Sequence, residues 1–143
     1  MAMLLEARVR KRMWYLVAAV ATIAVGLASR RFPQVLPACA GKYPGDALWS
    51  LMVFFGMGAI FSKASSLQLG FGALGFSFGI EALKLWQAPW LASVRHTTLG
   101  HLVFGHVFAW QNLVAYTVGV LAGLVLEVLV TPNLRASERR VAA

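Results

Sequence analysis

Acid is scarce in this sequence. Five Asp and Glu stand against 13 Lys and Arg, a net charge of +8, and only 13% of the 143 residues are charged. Soluble domains carry about 25% charged residues. A chain this short has too much surface per volume to hide its apolar side chains in a core of its own. With 59% hydrophobic residues and a mean hydropathy of +0.71, the composition excludes a soluble monomer and a disordered chain. One cysteine, Cys39, excludes an intrachain disulfide and every multi-cysteine metal or cluster motif. The sequence contains no P-loop, Rossmann turn or internal repeat. What is there is a long supply of apolar residues, and residues 1–143 read as one integral membrane domain.

The apolar runs set the expected architecture. Residues 13–29 lie between Arg8, Arg10, Lys11 and Arg12 on one side and Arg30 and Arg31 on the other. They read as a first spanning helix whose flanking arginines snorkel. A signal peptide is excluded, because the small-residue site Ala38-Cys39-Ala40 lies too far beyond the run, past Arg30, Arg31 and two prolines. The lipoprotein-like Leu36-Pro37-Ala38-Cys39 fails for the same reason. Residues 32–45 hold three of the five prolines and read as a connector. Asp46, a favoured N-cap, opens a second span over 46–62. A third is expected over 66–86 and a fourth over 112–130, stopped by Thr131-Pro132. The segment at about 90–110 contains an apolar stretch, Leu99 to Ala109, too short to cross a bilayer. The fold class is therefore an all-α membrane protein, with four transmembrane helices and a short interfacial or re-entrant segment before the last.

Charge placement orients the chain. With both termini in the cytoplasm, eight basic residues (Arg8, Arg10, Lys11, Arg12, Lys63, Arg135, Arg139, Arg140) lie inside and five (Arg30, Arg31, Lys42, Lys84, Arg95) outside. That asymmetry obeys the positive-inside rule. Basic residues that bracket apolar runs meet lipid headgroups, so nucleic acid is excluded as a partner and membrane lipids are expected.

Polar residues within the apolar runs carry the functional information. Ser77, Glu81 and Lys84 follow i, i+4, i+7 spacing and share one helix face. Gly75 and Gly79 form a small-xxx-small pair on roughly the opposite face and suggest a close helix contact there. Asn112, Tyr116, Gly119, Gly123 and Glu127 make one continuous stripe in the last span. In the chosen orientation Lys42, Asp46, Glu81, Lys84, Arg95, Asn112 and Tyr116 gather in one outward-facing polar layer, the candidate ligand-binding set, while Glu127 stands alone toward the cytoplasmic end. An ionisable residue inside a span faces protein or water, never lipid, and is a functional hypothesis by default. A Glu81–Lys84 pair that merely neutralises itself and orders the bundle is the equal alternative. His96, His101 and His106 are five residues apart and fall on different helix faces. No carboxylate or cysteine set completes them, so no metal, haem or other cofactor is expected. Trp14, Tyr15, Trp49, Trp86, Trp90 and Trp110 read as aromatics of the interface belts.

The stretch from Glu81 to Gly123 carries E-A-L-K-L-W-Q-A-P-W-L, then Arg95, then G-H-V-F-A-W-Q-N-L-V-A-Y-T-V-G-V-L-A-G. With Arg30-Arg31-Phe32-Pro33 and Gly41-Lys42-Tyr43-Pro44-Gly45-Asp46-Ala47-Leu48-Trp49 upstream, residues 10–130 closely resemble a small bacterial integral-membrane family known only as a domain of unknown function. More distantly, Glu81, Lys84, Arg95, Asn112 and the Gly119/Gly123 pair are similar to the VanZ-like pattern, associated with low-level teicoplanin resistance. Lys84 stands where that pattern usually has Gln, and Asn112 where it usually has Asp. The resemblance implies a bacterial inner-membrane location. The absent second carboxylate argues against an enzymatic transfer.

These readings converge on a non-enzymatic envelope protein that binds a lipid, a lipid-linked envelope precursor or another amphiphile, or a membrane protein partner or second copy, through the outward-facing layer. Two alternatives stay open. One is an intramembrane enzyme acting on a lipid-linked substrate with Glu81 as general acid or base and Arg95 steadying an anion. The other is a small transporter or channel subunit.

Overall fold

The structure, a computed structural model, describes residues 2–32, 34, 43–105 and 107–141, with side chains described over 11–29, 31, 32, 34, 43–101, 103–105 and 107–130. Six helices follow one another: α1 (Ala2–Arg31), α2 (Tyr43–Ile60), α3 (Ser66–Leu83), α4 (Pro89–Arg95), α5 (Thr98–Phe104) and α6 (Trp110–Val141). No strand occurs among the described residues. The fold is all-α.

Each long helix turns one stripe inward. Tyr15, Ala19 and Thr22 do so on α1, Ser50, Phe54 and Gly58 on α2, and Leu69, Ala73, Ser77, Ile80 and Glu81 on α3. On α6 the stripe is Asn112, Ala115, Tyr116, Gly119, Val120, Gly123 and Glu127. These i, i+3 and i+4 spacings are those of one helical face. α2 is the hub: α1, α3 and α6 all pack against it, α3 also packs on α6, and α5 lies on α4 and the end of α3. The rest of the surface is apolar, with Val17, Val20, Phe71, Val114, Val118 and Val128 all exposed. The charged Glu81, Lys84, Arg95 and Glu127 are buried. The bundle is apolar outside and partly polar within.

Two stretches, Lys11–Ser29 in α1 and Trp110–Val130 in α6, are long and apolar enough to cross a membrane by length and composition. α2 and α3 have 18 residues each, about 27 Å at 1.5 Å per residue. That is a little under the roughly 30 Å hydrocarbon core, and they carry Asp46 and Glu81.

Several boundaries differ from the sequence expectation, each for a local reason. Asp46 is not an N-cap; α2 begins at Tyr43 and holds Asp46 in its first turn, where a carboxylate faces the positive end of the helix dipole. Pro44 is compatible with that start, because the first turn leaves its N–H positions unbonded anyway. α3 opens on a capping box at Ser65 and Gln68. It ends at Leu83, not Trp86, because the chain tightens there into i→i−3 bonds from Lys84, Leu85 and Trp86. α6 does not stop at Thr131-Pro132 but continues to Val141, since a proline deletes one backbone donor and leaves the neighbouring turns bonded. Residues 90–110 resolve into two short helices instead of one segment.

The glycines divide sharply. A Cβ on Gly119 would stand 2.0 Å from the Ala47 carbonyl oxygen and 2.1 Å from Ser50 Oγ, so the α2–α6 approach requires glycine. Gly123 faces the Phe54 ring. Gly75 and Gly79 face open space, so the close contact expected at that pair is absent among the described residues.

Candidate functional site

The site is built around Glu81, in the last turn of α3 and fully buried. Helical spacing places Lys84 one turn further along the same face, where its Nζ donates to Glu81 Oε2 at 2.5 Å. The Tyr116 hydroxyl donates to the same oxygen at 2.9 Å. Oε1 accepts from Asn112 Nδ2 at 3.1 Å and from the Ala109 backbone N–H at 2.8 Å. Two ionised oxygens hold about four lone-pair sites, and four donors fill them. The donors come from α3, from the residue before α6, and from the first two turns of α6.

The connector closes over this carboxylate. Gly105 has φ +58°, and a Cβ there would lie 3.0 Å from Lys84 Cε and 3.3 Å from Nζ. Backbone therefore covers the lysine directly, in a conformation that favours glycine. On the α2 side, the Ser50 hydroxyl lies 2.9 Å from the Tyr116 carbonyl and 3.0 Å from the Ala47 carbonyl. That contact ties α2 to α6 at the level of the site.

Of the residues expected in the polar layer, Glu81, Lys84, Asn112 and Tyr116 meet in direct hydrogen bonds. Asp46 is close enough to act electrostatically on the Tyr116 hydroxyl. Arg95 is buried beside them but does not touch Glu81; it donates to the Leu83 carbonyl at 2.6 Å and the Trp86 carbonyl at 3.3 Å. A cation on the last carbonyls of a helix is a C-terminal cap, so Arg95 fastens α4 to the end of α3. Lys42 and His106 lie outside the described residues, and His96 and His101 are exposed. Among the described residues no group of three or more His, Cys, Asp and Glu is placed to hold a metal ion. Ser77, expected to extend the Glu81 stripe, is fully buried; its Oγ, Asn112 Oδ1 and Arg95 Nε have no hydrogen-bond partner among the described residues.

A second polar centre was not anticipated. Glu127 does not stand alone: the Tyr15 hydroxyl donates to its Oε1, and Lys11 Nζ lies 3.5 Å from the same oxygen and 5.6 Å from the centroid of the Tyr15 ring. Tyr15 is therefore a core residue with no exposure, not a belt aromatic, and its ring fills the space left by Gly58. The available signal was the i, i+4 pair Lys11–Tyr15, which puts a cation and a phenol on one face of α1.

The N-terminal parts of α2 and α6 line an apolar groove of about 480 Å³. Tyr43, Pro44 and Ala47 form one wall, and Trp110, Gln111, Val114, Ala115 and Val118 the other. A smaller one, about 150 Å³, lies between α1 and α2 at Thr22, Gly26, Leu48 and Trp49.

A family model described as a protein of unknown function (DUF2809) matches residues 35–120. The match takes in every residue of the Glu81 centre and stops before Glu127. No solved structure matches the chain.

Proposed function

The chain belongs to the family of proteins of unknown function DUF2809, and we propose that it is a four-span protein of the bacterial inner membrane that binds one lipid-like amphiphile without transforming it. The groove between α2 and α6 carries the reading. Its size falls in the roughly 300–1,000 Å³ range of ligand pockets. Along α6 it runs from Trp110 to Val118, a rise of about 12 Å, against about 15 Å for the apolar half-thickness of a bilayer. An acyl or isoprenoid chain lies in such a groove along the helix axis, with its polar head at the level of Tyr43 and Gln111. Lipid-linked envelope precursors share that chemistry, and the VanZ-like features of the sequence agree with an envelope role. Both termini are cytoplasmic in this reading, on the strength of the basic residues around Arg8–Arg12.

The Glu81 centre acts here as scaffold: it fixes the distance between α3, the connector and α6, and so the wall of the groove. A general base needs a lone pair that can reach substrate. Glu81 has both oxygens occupied and no exposure, which disfavours the enzyme reading.

Native mass spectrometry of the protein released from nanodiscs tests the proposal. Wild type should retain one lipid-sized adduct, and Val114→Trp with Val118→Trp, which fills the groove, should lose it. Val125→Trp, on exposed surface of the same helix outside the groove, should keep it. Equal retention in all three proteins would refute the groove as the site. For topology, an alkaline phosphatase fused to the C-terminus should be inactive; an active fusion reverses the orientation.

A further inference from the structure

The connector between α3 and α6 is inverted relative to an ordinary surface loop. Its one arginine, Arg95, is turned inward onto two carbonyls, while Leu85, Trp86, Trp90, Leu99 and Val107 are turned out. Leu99 is 75% exposed and Trp90 59%. Trp86 and Trp90 stand edge to face on the outside, 5.7 Å between centroids. From residue 82 to residue 126 the chain has no Asp or Glu at all. Ser93, His96, Thr97 and Thr98 are exposed on the same connector, the Ser93 and Thr97 hydroxyls donating to the Pro89 and Val94 carbonyls. α4 and α5 have seven residues each, about 10 Å apiece, too short to cross a bilayer.

Water is a poor solvent for that surface, and so is pure hydrocarbon. Aromatic and aliphatic side chains interleaved with polar groups suit the boundary between headgroups and acyl chains. The lack of acid removes repulsion from anionic lipid. In the four-span reading the two ends of the connector, at the end of α3 and the start of α6, lie at one face of the membrane.

We propose that α4 and α5 form an interfacial collar, docked on the lipid headgroup–acyl boundary through Trp86, Trp90, Leu99 and Val107. The collar roofs the Glu81 centre, since its last residues supply Gly105 over Lys84 and the Ala109 N–H to Glu81. Bilayer contact therefore holds the roof down. The proposal rests on the membrane reading above and is independent of the groove.

Site-directed nitroxides on the full chain test it in vesicles of phosphatidylcholine and phosphatidylglycerol. The labels are placed singly at Leu99→Cys, Leu121→Cys and Lys63→Cys, each with Cys39→Ser, and collision rates are read with oxygen and with a water-soluble nickel chelate. Leu121 is exposed on α6, and Lys63 is exposed between α2 and α3. The oxygen-to-nickel ratio at Leu99 should be several-fold above that at Lys63 and below that at Leu121. A ratio at Leu99 equal to Lys63, with Leu121 reading lipid, overturns the collar alone. A ratio as high as Leu121 overturns it in favour of a re-entrant segment, and shielding from both reagents overturns it in favour of a protein partner. If Leu121 itself reads water, the membrane reading fails with it. Val107→Cys repeats the measurement should Leu99→Cys not fold.

Discussion

Two glutamates, Glu81 and Glu127, are buried in this bundle, and they are held in different ways. Glu81 has four donors, three of them from a stretch of chain 28 to 35 residues away. Glu127 has the Tyr15 hydroxyl and a more distant Lys11, both on its Oε1; its Oε2 has no hydrogen-bond partner among the described residues. Lys84 is nearly as buried as the carboxylate it serves, whereas the Lys11 side chain is 32% exposed. The difference teaches what each centre is for. A saturated carboxylate with a buried cation is a rigid joint. A singly bonded one with a cation reaching to solvent is a fastening for α1, which packs chiefly on α2. The family match divides the same way, covering the first centre and omitting Lys11, Tyr15 and Glu127.

The most severe test of that contrast is Lys84→Met. It leaves the buried Glu81 carboxylate without its cation and should cost about 3–5 kcal/mol, read as a large drop in the detergent melting temperature. Adding Glu81→Leu should restore a good part of it. If Lys84→Met melts like wild type, the two centres do not differ in rigidity. Tyr15→Phe comes next, at about 1.5–3 kcal/mol for a hydrogen bond to a charged group. It should exceed Tyr116→Phe, because Glu81 keeps three donors and Glu127 keeps only Lys11; the reverse order would break the comparison. Gly119→Ala, at the α2–α6 contact that braces the Glu81 centre, should cost about 1–3 kcal/mol by overpacking. Gly79→Ala, in open space, should be neutral or stabilising by up to about 1 kcal/mol from helix propensity; similar melting of the two would refute the close approach. Among the variants of the two charged centres Lys11→Met should cost least, about 0–1 kcal/mol as for a partly exposed ion pair, and a larger loss would place Lys11 in the joint after all.

How much of this was legible beforehand depends on what each feature is made of. The stripe Asn112–Tyr116–Gly119–Gly123–Glu127 and the triplet Ser77–Glu81–Lys84 were readable, because helical periodicity alone decides which side chains share a face. That Glu81, Lys84, Asn112 and Tyr116 share one layer followed from two helices running in opposite directions. The Ala109 donor was invisible, since a backbone N–H has no sequence signature. So was the role of Arg95, which binds carbonyls and not the carboxylate its charge suggested. Tyr15 was misjudged because an aromatic near a span end suits both an interface belt and a buried fastener, and its partner lies 112 residues away. Gly75 and Gly79 show the converse: spacing permits a contact but does not supply the neighbour. Pro132 marks an expected stop that the helix passes, because one missing donor does not end a helix held by its other turns.

The pairing of Lys84 with Glu81 also bears on the order in which the protein is made. The two charges are three residues apart on one helix, so α3 carries its own neutralising partner from its first moment as a helix. The pair is net neutral with no help from later sequence. The remaining three donors arrive together, in the segment from Ala109 to Tyr116. In chain order the ion pair comes first and its other three donors follow, so the seal on Glu81 depends on the start of α6.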